Sequence, residues 1–326
     1  GLVGFGGWHL SNVEPDSAPA IRLRIVQASV PQKDKWRPER RSAILGEYLD
    51  LTDRPASPTA MGAGDADLVI WPETAIPFVF DLESVALPAI AAILPPGTSL
   101  VTGLERAERD ATRPQGYRIY NSIFAIDDVG GVEEIYDKVK LVPFGEFLPW
   151  QGVLESIGLQ QLTQVIGGFT SGTSRRLMQA GAAPPFLPLI CYEIVFPGQI
   201  LPSGENRPNW ILNVTNDAWF GDTAGPWQHL RQARMRAVEE GLPVVRAANT
   251  GVSAVIDSKG RLLESLGIGQ KGVIDAGLPA MGEETFYARH RELGFAVLTT
   301  LCLALAGLGM MPSRQGGGRR PARGPR

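Results

Sequence analysis

LPLICYEIVFP, residues 187–197, sets one cysteine, Cys191, inside an apolar run and one acid, Glu193, two positions later. The run reads as a buried strand that stops before Pro197. The only other cysteine is Cys302, so a disulfide framework is excluded. A lone thiol in such a run is often a small core hydrophobe. Here Tyr192 and Glu193 follow at once, and a turn starting at this point would aim the thiol and nearby amides into one pocket. A thiolate is a strong nucleophile, and a neighbouring cation lowers the pKa of its thiol.

Three other segments end in the same way, as strands running out into rigid, polar loops, where catalytic groups commonly sit. In VIWPETAIPF, 69–78, Glu73 lies between Pro72 and Pro77, which fix the backbone around it. In IYDKVKLVPFGEFLPW, 135–150, Lys138 and Lys140 are expected on one face of an extended segment and Asp137 on the other. Glu146 follows the stiff bend Pro143-Phe144-Gly145, and a lysine held in such a site is a fixed cation for a developing oxyanion. NVTNDAWFGDTAGPWQH, 213–229, reads as a pocket wall in which Asp222 or Thr223 caps the next helix. An ordinary loop acid, a solvated strand edge and a plain connector remain open for these three segments. His9, His229 and His290 are the only histidines, and none is placed as a base for the thiol. That leaves the combination cysteine, glutamate and lysine.

The surrounding chain is globular in composition, with 44% hydrophobic and 20% charged residues. A net charge of −3 gives no basic field for nucleic acid. There is no HExxH, no paired cysteine and no phosphate-binding glycine loop, so neither a metal nor a cofactor is expected. IRLRIVQASV (21–30) and ADLVIWP (66–72) read as strands, and 37–54 as an amphipathic helix with Ile44, Leu45, Tyr48 and Leu51 on one face. Asp128-Val129-Gly130 marks a hairpin, and 226–241 reads as a helix with Trp227, Leu230, Ala233 and Ala237 on one side. Strands and helices alternate early and hairpins accumulate late, which predicts one α/β or α+β layered domain over 21–288.

Residues 293–311 carry no charge over 19 positions, the length of a membrane span, and the tail 312–326 holds five arginines and no acid. A basic tail after an apolar span predicts a cytoplasmic tail and a catalytic domain on the other side. GLVGFGGWHL, 1–10, reads as the end of an upstream membrane segment, and 11–20 as a linker.

Glu in WPE, Lys in YDKVKLVPFGE and Cys in CYE together resemble the Glu–Lys–Cys segments of the nitrilase, or carbon–nitrogen hydrolase, superfamily. The wording of WPETAIPF, YDKVKLVPFGEFLP, ICYEIVFP and NDAWFGDTAGPWQHLRQARMRAVEEGLPVVRAANTGVSAVID is similar to the apolipoprotein N-acyltransferase family within it. The resemblance covers residues 21 to about 275 and the last apolar segment. It implies an αββα sandwich and a C-terminal transmembrane helix in the bacterial inner membrane, with the catalytic domain on the periplasmic side. It also implies Glu73 as general base, Lys138 as oxyanion stabiliser, Cys191 as nucleophile, Glu146 as a supporting glutamate, and Tyr192, Glu193 and Trp219 lining the site. The implied reaction moves a fatty acyl chain from a phospholipid donor, through a thioester, onto a diacylglyceryl apolipoprotein. The same triad alone would also serve an amidase or nitrilase. The apolar stretch 147–169, including Phe147, Trp150 and Leu154, is expected to act as a lid that meets the membrane and guides acyl chains.

Overall fold

The structure, a computed structural model, describes residues 21–55, 62–77, 79–80, 86–113, 115–150, 161–163, 168–202 and 206–309, with 4, 6 and 7. The expected linker 11–20, the basic tail and most of 1–10 lie outside these residues.

Two sheets form the centre. The first contains seven strands: β1 (Arg22–Gln27), β2 (Leu68–Ile70), β3 (Val79–Phe80), β4 (Ser99–Arg109), β5 (Tyr117–Ile126), β6 (Val132–Asp137) and β12 (Gly272–Gly277). Its order is β12-β1-β2-β4-β5-β6, with β3 beside β4. The second has β7 (Phe186–Ile190), β8 (Trp210–Thr215), β9 (Val244–Ala248), β10 (Ser253–Ile256) and β11 (Leu262–Leu266), in the order β11-β10-β9-β8-β7. The parallel strands β7, β8 and β9 and the parallel β1, β2 and β4 supply adjacent C-terminal ends in each sheet. Pockets in open α/β sheets form at such ends.

Period-two alternation decides which residues meet between the sheets. Leu23, Ile25, Leu68 and Ile70 of the first sheet pack with Phe186, Ile190, Trp210, Leu212 and Val214 of the second. Their neighbours face outward. Val26, Val69 and Trp71 pack on α2 (Arg41–Asp53) through Ile44, Tyr48 and Leu51, and on α3 (Ala86–Ala91), which follows the four-residue α1 (Gln32–Lys35). Leu187, Leu189 and Ile211 pack on α4 (Gly225–Glu240) through Leu230, Ala233 and Ala237. The result is the expected αββα sandwich. Buried Arg24 stops α2, because its guanidinium donates to the carbonyls of Thr52 and Arg54 while pairing with Asp275.

Several local expectations change. The 37–54 helix begins at Arg41, after a 3-10 turn at Pro38–Arg40. Trp227 does not join the apolar face of α4 and is half-exposed, although Pro226 and His229 beside it are buried, because it lies to one side of the stripe formed by Leu230, Ala233 and Ala237. Ala224 occupies the N-cap of α4; the Thr223 hydroxyl accepts from the Gly225 amide, and Asp222 makes no cap. The expected span 293–311 is the helix α6 (Leu293–Gly309), after the short α5 (Phe286–His290), and 310 and 311 lie outside the described residues. The described part of this run is helical throughout, from Leu293 to Gly309. Among the described residues no helix is long and apolar enough to cross a membrane.

Gly103 on β4 lets the chain after β2 cross very closely. A Cβ there would meet the Glu73 Cα at 2.5 Å and the Pro72 carbonyl at 2.9 Å. Gly103→Ala is therefore expected to push Pro72–Thr74 off the sheet, lowering thermal stability and reducing activity at least about tenfold, as small misplacements of reacting groups do. Differential scanning fluorimetry and a turnover assay check this together.

Candidate active site

Cys191 follows β7 directly and opens a 3-10 turn, Cys191–Val195. Its φ of 51° is left-handed, a strained choice for a residue with a Cβ. Glu193 holds the turn in place: its carboxylate accepts from the Ile190 amide at 2.9 Å and from the Val139 and Lys140 amides, both at 3.0 Å. Tyr136 and Arg175 also approach it. Glu193 is fully buried and lies behind the site rather than along its wall. It ties the elbow that carries Cys191 to the strand exit that carries Lys138. The Cys191 carbonyl is gripped from below by the Asn213 amide at 3.3 Å and by His229 Nε2 at 3.1 Å.

Lys138 leaves β6 buried, while Lys140 turns outward to Gln199 and the Phe196 ring, so the two lysines do not share a face. The strand ends at Asp137, and alternation lapses beyond it. Lys138 Nζ lies 2.6 Å from Glu146 Oε1 and 3.9 Å from Glu73 Oε1. Glu146 is fixed in turn by the Val142 amide at 2.9 Å. Glu73 accepts from Asn121 Nδ2 at 2.7 Å and from the Asn216 amide at 2.7 Å. Glu73, Lys138 and Glu146 are thus brought together, close enough to Cys191 for the charges of Glu73 and Lys138 to act on its thiol.

Burial opposes the charge on Lys138, yet Glu146 and Glu73 outweigh it and hold the ammonium above the usual lysine range. Burial pushes Glu73 up, while Lys138, Asn121 and Lys35 pull it back. Burial and then Glu73 push the Cys191 thiol well above the usual cysteine range, and Lys138 only partly compensates. Burial thus favours the protonated thiol over the thiolate at this position.

A cavity of about 640 Å³ opens over this group. Glu73, Glu105, Asn121, Glu146 and Asn216 form its polar floor, and Trp36, Leu162 and Trp219 line it toward the surface. Trp219 lines the cavity as expected; Tyr192 stands to one side against Phe220 and His229. Of the expected lid, Phe147 is half-buried and Trp150 is 82% exposed, whereas Leu154 lies outside the described residues. The segment returns to its own starting point: the Leu162, Thr163 and Phe169 amides donate to the carbonyls of Phe144, Gly145 and Glu146.

Sequence reasoning missed several members. Asn121 sits in the middle of β5, where nothing local distinguishes it from a strand polar residue. Lys35 and Glu105 are buried partners that come from distant segments. His229 was set aside for its polar helix neighbours, but it is buried between Asp217 and Cys191. Burial and Arg246 lower its pKa, which leaves it neutral. Arg246 pairs with Asp217 at 2.7 Å, and against its burial this holds the Asp217 carboxyl near 2.

Comparison with known proteins bears on this arrangement. The carbon–nitrogen hydrolase family matches residues 22–285. A Rhodopseudomonas palustris protein named apolipoprotein N-acyltransferase is 50% identical over 94% of this chain and 57% of its own length. A Brucella melitensis protein of the same name is 43% identical over 95% of this chain and 57% of its own. The chain therefore spans little more than half the length of these curated relatives. Among solved structures, a mutant amidase from Nesterenkonia sp. AN1, with acrylamide added at its active-site cysteine, superposes with a TM-score of 0.54 at 19% identity. It covers 86% of this chain and 99% of that one. A CN-hydrolase superfamily protein from Xanthomonas campestris gives 0.54 at 20% identity, covering 91% and 99%. At such identities the likeness speaks for the fold alone, and the architecture agrees. With a matched region that takes in both sheets and every residue of the Glu73–Lys138–Cys191 group, this chain belongs to the carbon–nitrogen hydrolase family.

Proposed function

We propose that this chain is the catalytic part of a phospholipid-dependent N-acyltransferase that transfers a fatty acyl chain, through a Cys191 thioester, to the N-terminal diacylglyceryl-cysteine of apolipoproteins. The observation that carries this reading is the buried clamp of Lys138 between Glu146 and Glu73 beside Cys191, in a chain half identical to a protein named for that activity.

In the first half-reaction the Cys191 sulfur attacks the ester carbonyl of the phospholipid. Glu73 takes the thiol proton as the C–S bond forms. The oxyanion is held by the Lys138 ammonium and a backbone amide near Tyr192. The ester C–O bond then breaks, Glu73 returns the proton to the leaving oxygen, and a lysophospholipid departs. In the second half-reaction the acceptor amine attacks the thioester, the C–N bond forms, the C–S bond breaks, and sulfur recovers a proton. Lys138 stays charged throughout because both carboxylates hold it so, which suits a fixed electrostatic anchor better than a proton carrier.

The substrate supply would be a bilayer. α6 turns Leu293, Phe295, Leu298, Leu301, Leu303 and Leu305 outward, all more than half exposed, and a helix apolar on all sides needs an apolar surround. We place it at the bacterial inner membrane, with residues 21–288 on the periplasmic side, as the arginines of the tail suggest. The excursion 147–169, with Trp150 at its exposed start, would act as the lid over the acyl chains and keep water from the thioester.

Incubated with phospholipid vesicles bearing a labelled acyl chain, the full-length membrane protein should gain the mass of one acyl group at Cys191 and show ping-pong kinetics. Rapid release of free fatty acid without a stable adduct would instead mark a hydrolase. Trp150→Asp and Leu154→Asp should slow acylation by phospholipid and spare acylation by a water-soluble ester; equal loss on both substrates counts against the lid. In a Cys302→Ser background, Glu73→Gln should lower the pKa of the Cys191 thiol, seen as thiolate absorbance near 240 nm appearing at lower pH, because a repelling negative charge is gone. The same variant should lose about 100-fold or more in turnover through loss of its base.

A further inference from the structure

One buried carboxylate on the cavity wall has no part in the triad chemistry. Glu105 lies on β4, directly across the ladder from Asn121 on β5. Paired residues of neighbouring strands share a face of the sheet. Asn121 is the residue that holds Glu73 and approaches Glu146, so Glu105 stands on the same face as that pair. It is 5% exposed and lines the cavity with Glu73, Glu146 and Asn121. No donor among the described residues is recorded within hydrogen-bonding distance of its carboxylate. This carboxylate is nineteen-twentieths buried and stands on the cavity lining, where a donor from a bound molecule can reach it.

The charges around it are arranged asymmetrically. Lys35 of α1 is 1% exposed, and among the described residues its ammonium donates to the Glu73 carbonyl at 3.2 Å. Glu73 faces Glu105 from the loop after β2, Glu146 from the turn after β6, and Lys33 and Arg37 stand on the lining of the same cavity. Lys138 is committed to Glu73 and Glu146. Lys35 is thus the buried cation that offsets Glu105 without closing on it.

Resting on the acyltransferase reading above, we propose that Glu105 forms a binding subsite for the primary ammonium of the acyl acceptor and takes the first proton from it in the second half-reaction. An N-terminal α-ammonium has a pKa of about 7.7–8.0, so most of it arrives charged at neutral pH and cannot attack until it loses a proton. The ammonium must lose two protons to become an amide N–H, and Glu73 carries only the one that goes on to the sulfur, so a second acceptor is needed. With Glu105 present, the ammonium donates one proton to the Glu105 carboxylate and becomes a free amine. Its nitrogen then attacks the thioester carbonyl, the C–N bond forms, the C–S bond breaks, and the second amine proton passes through Glu73 to the thiolate. Glu105 later releases its proton to solvent. Burial pushes Glu105 up to about 7, against the pull of Lys35, and burial lowers Lys35 to about 8, against the pull of Glu73 and Glu105. A base with a pKa near the working pH is effective at both accepting and releasing a proton.

The test separates the two half-reactions in the full-length protein in membranes. Acylation is followed by the mass of Cys191 after mixing with a synthetic diacyl phospholipid. Transfer is followed by loss of that acyl group to an S-diacylglyceryl-cysteinyl peptide. In Glu105→Gln, the ratio of transfer rate to acylation rate should fall at least about tenfold at pH 6.5 and recover to within about twofold by pH 9, where the acceptor is already a free amine. Glu105→Asp, which keeps the charge, should recover part of the loss at pH 6.5 and melts as the folding control. An equal fall in both half-reactions, or a transfer defect that does not change with pH, would overturn the subsite. A wild-type protein that never acylates Cys191 would instead overturn the acyltransferase reading itself.

Discussion

The site is organised around one buried ammonium. Lys138 has no water to solvate it, and two carboxylates, Glu146 at 2.6 Å and Glu73 at 3.9 Å, take water's place. Leaving one partner of such a group unpaired costs roughly 3–5 kcal/mol, so each partner must itself be fixed. Much of the surrounding structure does that work. Asn121 and the Asn216 amide hold Glu73, the Val142 amide holds Glu146, and Asn249 braces Asn216 while bonding both backbone groups of Val30. The two sheets matter functionally because they deliver these groups from opposite sides. Glu73, Asn121 and Lys138 come from the first sheet, and Cys191 and Asn216 from the second.

Glu193 adds a second constraint. A single carboxylate with three amide donors spans the exits of β6 and β7, and so sets the distance between the cation and the sulfur. Its value to the fold is positional. It reaches neither cavity nor solvent, and its loss would free the 3-10 turn that holds Cys191 at positive φ.

The layered fold and the triad were legible in the sequence for identifiable reasons. The alternation read in β1 and the apolar runs of β7 and β8 report on burial, and Pro72, Pro77 and Pro143 mark the rigid exits where Glu73 and Glu146 stand. What stayed hidden was long-range or non-periodic. Lys138 and Lys140 look equivalent along the chain, and only the end of β6 at Asp137 separates their fates. His229 belongs to a helix whose sequence neighbours are arginine and glutamine, so nothing local signals its burial against Asp217 and the Cys191 carbonyl. Lys35 and Glu105 are 70 residues apart and carry no motif. The apolar run at 293–311 is legible as composition, and among the described residues it is helical as far as Gly309.

The raised pKa of the Cys191 thiol has a further chemical consequence. Oxidation to sulfenic acid and onward proceeds from the thiolate, so a sulfur that keeps its proton at rest is a poor target for peroxide. Low-molecular-weight disulfides need the same ionised form and find little of it. The burial that raises the pKa of this thiol also keeps the sulfur in its less reactive, protonated form.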